Sequence, residues 1–279
     1  MKYGQSSFKR REITMNEKDN LTVKRELLTR RAWLTKGFKT AAALGLGAIA
    51  FNAVGDLKPF VANAMENLTS GALSFTADDF CTLTCTTTLG PCFANVNLVR
   101  RDITSGITGL PMRLGFRIVN ADTCLPIQNA TVEIWHTNKD GNYSALSGVC
   151  SNDSTTLSQN FSRGIQSSDT NGWVYFDSIY PGWYSGRVTH MHLTVRLGTT
   201  NIVTTQFFFA DKVSEMIYRN HPSYIARPNR DTTNTTDNVI GGALSRSLPY
   251  IMTTKLVQNK YLQATKTIAI RTTATSCSA

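Results

Sequence analysis

RVTHMHLTVR, residues 187–196, and NIVTTQFFF, residues 201–209, flank the tetrapeptide Leu197-Gly198-Thr199-Thr200. Both runs are rich in β-branched and apolar residues, and the glycine-containing spacer between them reads as a hairpin turn. Residues i and i+2 of a strand point to one face, so His190 and His192 lie side by side, at a spacing that lets both imidazoles reach one cation. Folding the chain about Gly198 and Thr199 sets Gln206 opposite His192 and brings an amide beside the imidazole pair. Taken alone, a His-x-His on a strand is more often structural than a metal site, and Gln206 has a plain reading as an edge glutamine bonded to backbone.

The same alternation recurs outward from this hairpin. MRLGFRIVN (residues 112–120) and ATVEIWH (residues 130–136) alternate, and an Asn171-Gly172 turn precedes the apolar run Trp173 to Phe176. Tyr250 to Val257 and Thr265 to Arg271 read as the last strands, Thr232 to Asp237 as a polar loop, and Asp211 to Tyr218 as the one short helix of this region. No repeat of 20 to 50 residues is present. The chain has 279 residues, 41% of them hydrophobic, which suffices for a large core and excludes both disorder and a disulfide-only miniprotein. Only 17% are charged, and no apolar run reaches the roughly 18 to 20 residues that span a bilayer. The expectation is an all-β protein with a single β-sandwich domain over residues 77–279, preceded by a linker at 65–76.

The net charge of +10 is concentrated at one end. Residues 1–64 hold 12 Lys/Arg against 5 Asp/Glu, leaving a net of only +3 for the rest, without a block of like charge, so no nucleic-acid partner is expected. The same 64 residues have the grammar of an export signal. Arg30 and Arg31 precede a weakly apolar, Ala/Gly-rich run from Thr40 to Val54, and Ala62-Asn63-Ala64 ends it in the manner of a cleavage site. Paired arginines ahead of a mild hydrophobic core resemble the twin-arginine type, which implies the twin-arginine translocon as partner and a periplasmic or extracellular destination in a bacterium. The competing readings are an uncleaved anchor and a basic amphipathic helix. Met15 is an alternative start that would shorten the region.

Six cysteines, none in the signal-like segment, agree with an oxidising compartment and an even set of disulfides. Cys81, Cys85 and Cys92 cluster, while Cys124, Cys150 and Cys277 are dispersed. The cluster lacks the paired C-x2-C spacing of zinc and iron–sulfur sites.

Upstream of the histidines stands YPGWYSGRVTHMH, residues 180–192, with Tyr184 and Arg187 within six residues of His190. A phenolate is a hard anionic ligand suited to a trivalent ion. This string resembles the motif of the intradiol ring-cleavage dioxygenases, and the similarity extends upstream to NATVEIWH (residues 129–136), DGNYS (residues 140–144) and Arg163-Gly164-Ile165-Gln166, and downstream to Thr205-Gln206-Phe207-Phe208-Phe209. The resemblance implies that Tyr143, Tyr184, His190 and His192 ligate one non-haem ferric ion, Fe(3+). It further implies that Tyr184 leaves the metal to take a substrate proton, and that Arg187 and Gln206 act beside the bound ring. The implied reaction cleaves a catechol-type aromatic diol between its hydroxyl-bearing carbons with both atoms of O2. His136 is expected to pack rather than ligate, His221 to sit on the surface or in a loop, and Trp183 to belong to the core or the pocket wall.

The chain also departs from the family. Its Thr84-to-Phe93 stretch carries Cys85 and Cys92 where relatives have a proline and a pocket aromatic. The sequence does not choose among the 15 possible pairings of the six cysteines; if Cys92 is in a disulfide with a nearby partner such as Cys81 or Cys85, the wall over the site is tethered. No long helical segment of the dimerising catechol 1,2-dioxygenase kind precedes the sandwich. Two phenolates disfavour zinc or copper. The competing functional reading is a catalytically silent sandwich used as a binding module, which should have lost at least one of the six site residues.

Overall fold

The computed structural model describes residues 81–242, 247–257, 260–272 and 277. The expected export signal, the linker and the first residues of the expected domain lie outside them. Among the described residues eight strands and one α-helix follow in order: β1 (Pro111–Asn120), β2 (Thr131–Trp135), β3 (Arg163–Ser167), β4 (Trp173–Ile179), β5 (His190–Leu197), β6 (Thr200–Phe208), α1 (Asp211–Asn220), β7 (Thr253–Val257) and β8 (Tyr261–Ile270). They form two four-stranded sheets, β4-β1-β8-β7 and β3-β2-β5-β6. All ladders are antiparallel except β1 with β8.

Alternation along each strand decides what lies between the sheets. Leu114, Phe116 and Ile118 of β1 and Val174 and Phe176 of β4 meet Val132 and Ile134 of β2, Met191, Leu193 and Val195 of β5, and Phe207 of β6 in one continuous core. Phe116 and Phe207 stack across it with ring centres 6.0 Å apart. The architecture is therefore the expected β-sandwich. With Met191, Leu193 and Val195 turned inward, the period of two places His190, His192 and Thr194 on the outer face of their sheet. That face is buried too, because a strap of chain from Cys81 to Phe93 crosses it. Thr84 N and Thr86 N donate to the carbonyls of Ala269 (2.8 Å) and Cys277 (2.9 Å), and Thr87 N donates to Thr204 O (3.0 Å).

The strap is also held covalently. Cys81 pairs with Cys124, Cys85 with Cys277 and Cys92 with Cys150, so every disulfide has one end in it. The sequence left the pairing open; Cys92 meets neither of its neighbours Cys81 and Cys85, and no cysteine is left for a metal cluster. Further differences are local. β3 was not among the expected strands, because a charged residue and a glycine open it. The first three residues of the expected strand at 187–196 form a bend, β7 starts three residues late, and β8 starts four residues early, with a half-exposed polar beginning. His221 begins the loop after α1, as one of its two expected settings had it, and is buried there with its ring against Tyr224 at 5.4 Å. Among the described residues no helix is long and apolar enough to cross a membrane.

Candidate active site

The expected hairpin forms, with Gly198 in the left-handed region at φ +57° between Leu197 and Thr200. A two-residue turn there would set His192 opposite Thr205. A register shift between Val195 and Arg196 moves the ladder by one residue, and His192 faces Gln206 as the sequence suggested.

Two turns deliver the tyrosines. The chain from Asn138 to Asn142 turns back on itself and presents Tyr143, while Pro181-Gly182-Trp183 presents Tyr184. They interlock backbone to backbone, with Gly182 N donating to Asn138 O at 2.8 Å. A Cβ on Gly182 would lie 2.3 Å from Lys139 O and 2.6 Å from Gly141 N, and a Cβ on Gly141 would lie 2.2 Å from Trp183 O. Only glycines let the two turns approach this closely. The loop after Tyr184 is anchored at both ends. Ser185 Oγ donates to Asp231 (2.7 Å), and Tyr218 Oη donates to Pro181 O (2.7 Å) while sharing a hydrogen bond with Thr189 Oγ1 (2.7 Å).

These constraints bring four donor atoms to one point. Tyr143 Oη lies 3.1 Å from His192 Nε2 and 3.4 Å from His190 Nε2, Tyr184 Oη lies 3.3 Å from His190 Nε2, and the two Nε2 atoms are 3.2 Å apart. Metal bonds of about 2.0–2.1 Å from each atom to a shared centre give edges of this length, so the set fits one small cation. His190 Nδ1 donates to Val188 O at 2.6 Å, which leaves its Nε2 lone pair turned to the cluster. Trp135 stacks on His192 with centres 5.0 Å apart and planes 9° from parallel.

The electrostatics of the cluster point the same way. Burial holds His190 neutral, down to about 3, with help from the Arg187 charge, and pushes His192 well below the ordinary imidazole range. Burial also pushes the Tyr143 phenol well up and raises that of Tyr184. Protein groups alone therefore keep all four donors uncharged, and only a strongly charged cation would draw the two phenols into phenolates.

Arg187 and Gln206 adjoin the donors. Arg187 Nε donates to the fully buried carboxylate of Asp237 at 2.9 Å, and the same carboxylate accepts from Val188 N at 3.0 Å. Arg187 Nη2 donates to Gln206 Oε1, and Gln206 Nε2 donates to Thr88 O of the strap at 2.9 Å. Gln206 thus lies on β6, an edge strand of its sheet, with its amide bonded to backbone as in the plain reading, yet it is fully buried under the strap and its carbonyl is taken by Arg187. Sequence reasoning missed Asp237, although a lone carboxylate at the end of the Thr/Asn-rich loop was a signal for it. His136 packs as expected, fully buried, with its Nε2 2.8 Å from Ser178 Oγ. Trp183 is part of the core margin and donates to Arg227 O at 3.1 Å. A cleft of about 530 Å³ opens beside Tyr184, bordered by Asn142, Cys150, Ser185 and Arg227.

The family model described as dioxygenase matches residues 93–239, more than half of the chain and all six site residues. The chain belongs to the intradiol ring-cleavage dioxygenases. The fold of this dioxygenase is similar to that of the intradiol ring-cleavage dioxygenase from Tetranychus urticae, with a TM-score of 0.61 at 24% identity over 68% of this chain and 95% of that one. The dioxygenase domain of a dioxygenase–carbohydrate-binding protein fusion from Streptomyces sp. SirexAA-E gives 0.49 at 19% identity, over 68% and 98% of the two chains. Catechol 1,2-dioxygenase from Pseudomonas arvilla C-1 gives 0.46 at 19%, over 76% and 67%. No curated protein sequence matches the chain significantly. Family membership makes the protein an oxidoreductase, and the six-residue set of the site is complete, against the reading as a silent binding module.

Proposed function

We propose that this dioxygenase holds a ferric ion on Tyr143, Tyr184, His190 and His192 and cleaves a catechol-type aromatic diol between its two hydroxyl-bearing carbons, both oxygen atoms of O2 entering a cis,cis-muconate type product. The observation that carries the reading is the convergence of two phenols and two imidazoles with edges of 3.1–3.4 Å. When bound, the ferric ion supplies the Lewis acidity that takes up the diol and readies its ring for dioxygen. The protein supplies the rest. Tyr184, less buried than Tyr143, receives a hydroxyl proton of the incoming diol at Oη, and its burial favours the protonated phenol once that proton arrives. Arg187, fixed by Asp237 and Gln206, holds a positive charge where negative charge develops on the ring. Trp135 and the strap keep water from the imidazole side.

Iron content and the visible spectrum test this reading. A 1:1 iron protein with a tyrosinate charge-transfer band, taking up O2 with catechols, is expected. A colourless iron protein, or one that selects zinc, refutes the ligand set. We further propose export through the twin-arginine translocon, the motivation being Arg30-Arg31 ahead of the weakly apolar run. Exchange of both arginines for lysine should trap the protein in the cytoplasm in cell fractionation, and normal export of that variant overturns the route.

A further inference from the structure

Arg163, at the start of β3, is almost wholly buried, yet among the described residues it forms no ion pair. Glu133, whose charge also reaches Arg163, is paired with Arg196 at 2.7 Å. All of Arg163's hydrogen-bond acceptors are neutral. Nε donates to Ser144 O (3.2 Å) and Ser144 Oγ (3.1 Å), and Nη2 donates to Ser144 O (2.8 Å) and Cys92 O (3.0 Å). Its guanidinium carbon stands 6.0 Å from the centre of the Tyr143 ring. A buried cation without a counter-ion is costly, and a fold retains one where an anion completes it. An arginine side chain stays charged at neutral pH. Arg187 already has Asp237, and the one acidic group that Arg163 approaches over its ring is the phenol of Tyr143.

We propose that Arg163 is the positioning residue and counter-cation of the Tyr143 phenolate. This rests on the reading of Tyr143 as an iron ligand. Two separable effects follow from one side chain. The guanidinium fork grips Ser144, the residue next to Tyr143, and ties it to Cys92 in the strap, which braces the chain that carries the ring. The fixed charge lowers the energy of the ring electrons of Tyr143, over whose ring the guanidinium lies. Tyr184 has Arg187 beside it instead, whose charge Asp237 already balances, so the two phenols are unequal: Tyr143 is held, and Tyr184 is free to leave.

The iron-loaded protein and its Arg163→Gln and Arg163→Lys variants decide the point. Removing a positive charge about 6 Å from the ring, at an effective dielectric constant of about 20, should move the tyrosinate charge-transfer band to longer wavelength by on the order of 20 nm in Arg163→Gln. Arg163→Lys keeps the charge but loses the fork, so its band should stay in place while its melting temperature falls. A glutamine variant with full iron and an unmoved band overturns the proposal, as does a lysine variant shifted as far as the glutamine one. Should Arg163→Gln fail to fold, the lysine variant decides alone, since a role in packing only would shift its band. A wild-type protein that binds iron without any such band overturns the ligand set and this proposal together, whereas a normal wild-type band with unshifted variants overturns only the role of Arg163.

Discussion

Replacing Gly182 by alanine tests whether the interlocked turns set the geometry of the donor cluster. The added methyl would meet Lys139 O at 2.3 Å, Lys139 C at 2.5 Å and Gly141 N at 2.6 Å. All three are backbone atoms, so no flexible side chain can yield, and the turn carrying Tyr184 must withdraw from the turn carrying Tyr143 by about 1 Å to restore ordinary contact. Overpacking of this kind costs about 1–3 kcal/mol, which lowers the melting temperature of a domain of this size by roughly 2–4 °C per kcal/mol. The larger effect is on chemistry. Donor edges of 3.1–3.4 Å leave no slack for a 1 Å shift of one phenol, and misplacement on that scale lowers turnover by about 100-fold. Iron content, the charge-transfer band, oxygen uptake and a thermal melt on one preparation separate these effects. The expected outcome is a folded protein with a small drop in melting temperature, an altered band and turnover down by two decades. Wild-type turnover and spectrum in Gly182→Ala would show that the tyrosines are placed by something other than this contact.

Three further outcomes are expected. Tyr184→Phe should keep iron and lose most turnover, while His192→Ala should lose the metal itself; iron retention with near-normal oxygen uptake in both would refute the ligand assignment. Asp237→Asn leaves Arg187 without its buried counter-charge and should cost about 3 kcal/mol in denaturant melts, together with turnover on catechols; unchanged stability would mean that the ion pair contributes nothing. His136 is held neutral by burial, down to about 4, whereas in the unfolded chain it protonates near 6.5. The unfolded state therefore binds more protons between those values, stability falls by about 3 kcal/mol as pH drops from 6.5 to 4, and His136→Gln should flatten that slope; equal slopes in urea melts of the two proteins would refute the account.

The legible parts of this protein were those written in local pattern. A glycine turn between two β-branched runs gave the β5–β6 hairpin, and the period of two put His190 and His192 on one face. Even the pairing of His192 with Gln206 came out correctly, although it depends on the register shift at Val195 that no local signal announces. What stayed hidden was set by contacts far apart in sequence. Asp237 gains its meaning from Arg187, fifty positions away. Arg163 breaks the apolar pattern of β3 because its charge serves the Tyr143 loop, so the strand could not be read from propensity. Cysteine spacing says nothing of which distant partner the strap will meet, and Cys92 found Cys150 and not its neighbours.

The strap pinned by three disulfides changes what association with a ligand demands. A wall that closed over the site at each encounter would give up about 1–2 kcal/mol of backbone freedom per residue every time. Here both ends of the segment from Cys81 to Cys92 are tied to distant parts of the fold, and Thr87 and Thr88 are bonded to β6 between them. That entropy is lost once, when the chain folds and oxidises, and is not lost again with each turnover. Affinity for a rigid aromatic ring then comes from contacts with a surface already in place, and selectivity among rings depends on the shape of that surface, with no closing step left to adjust it.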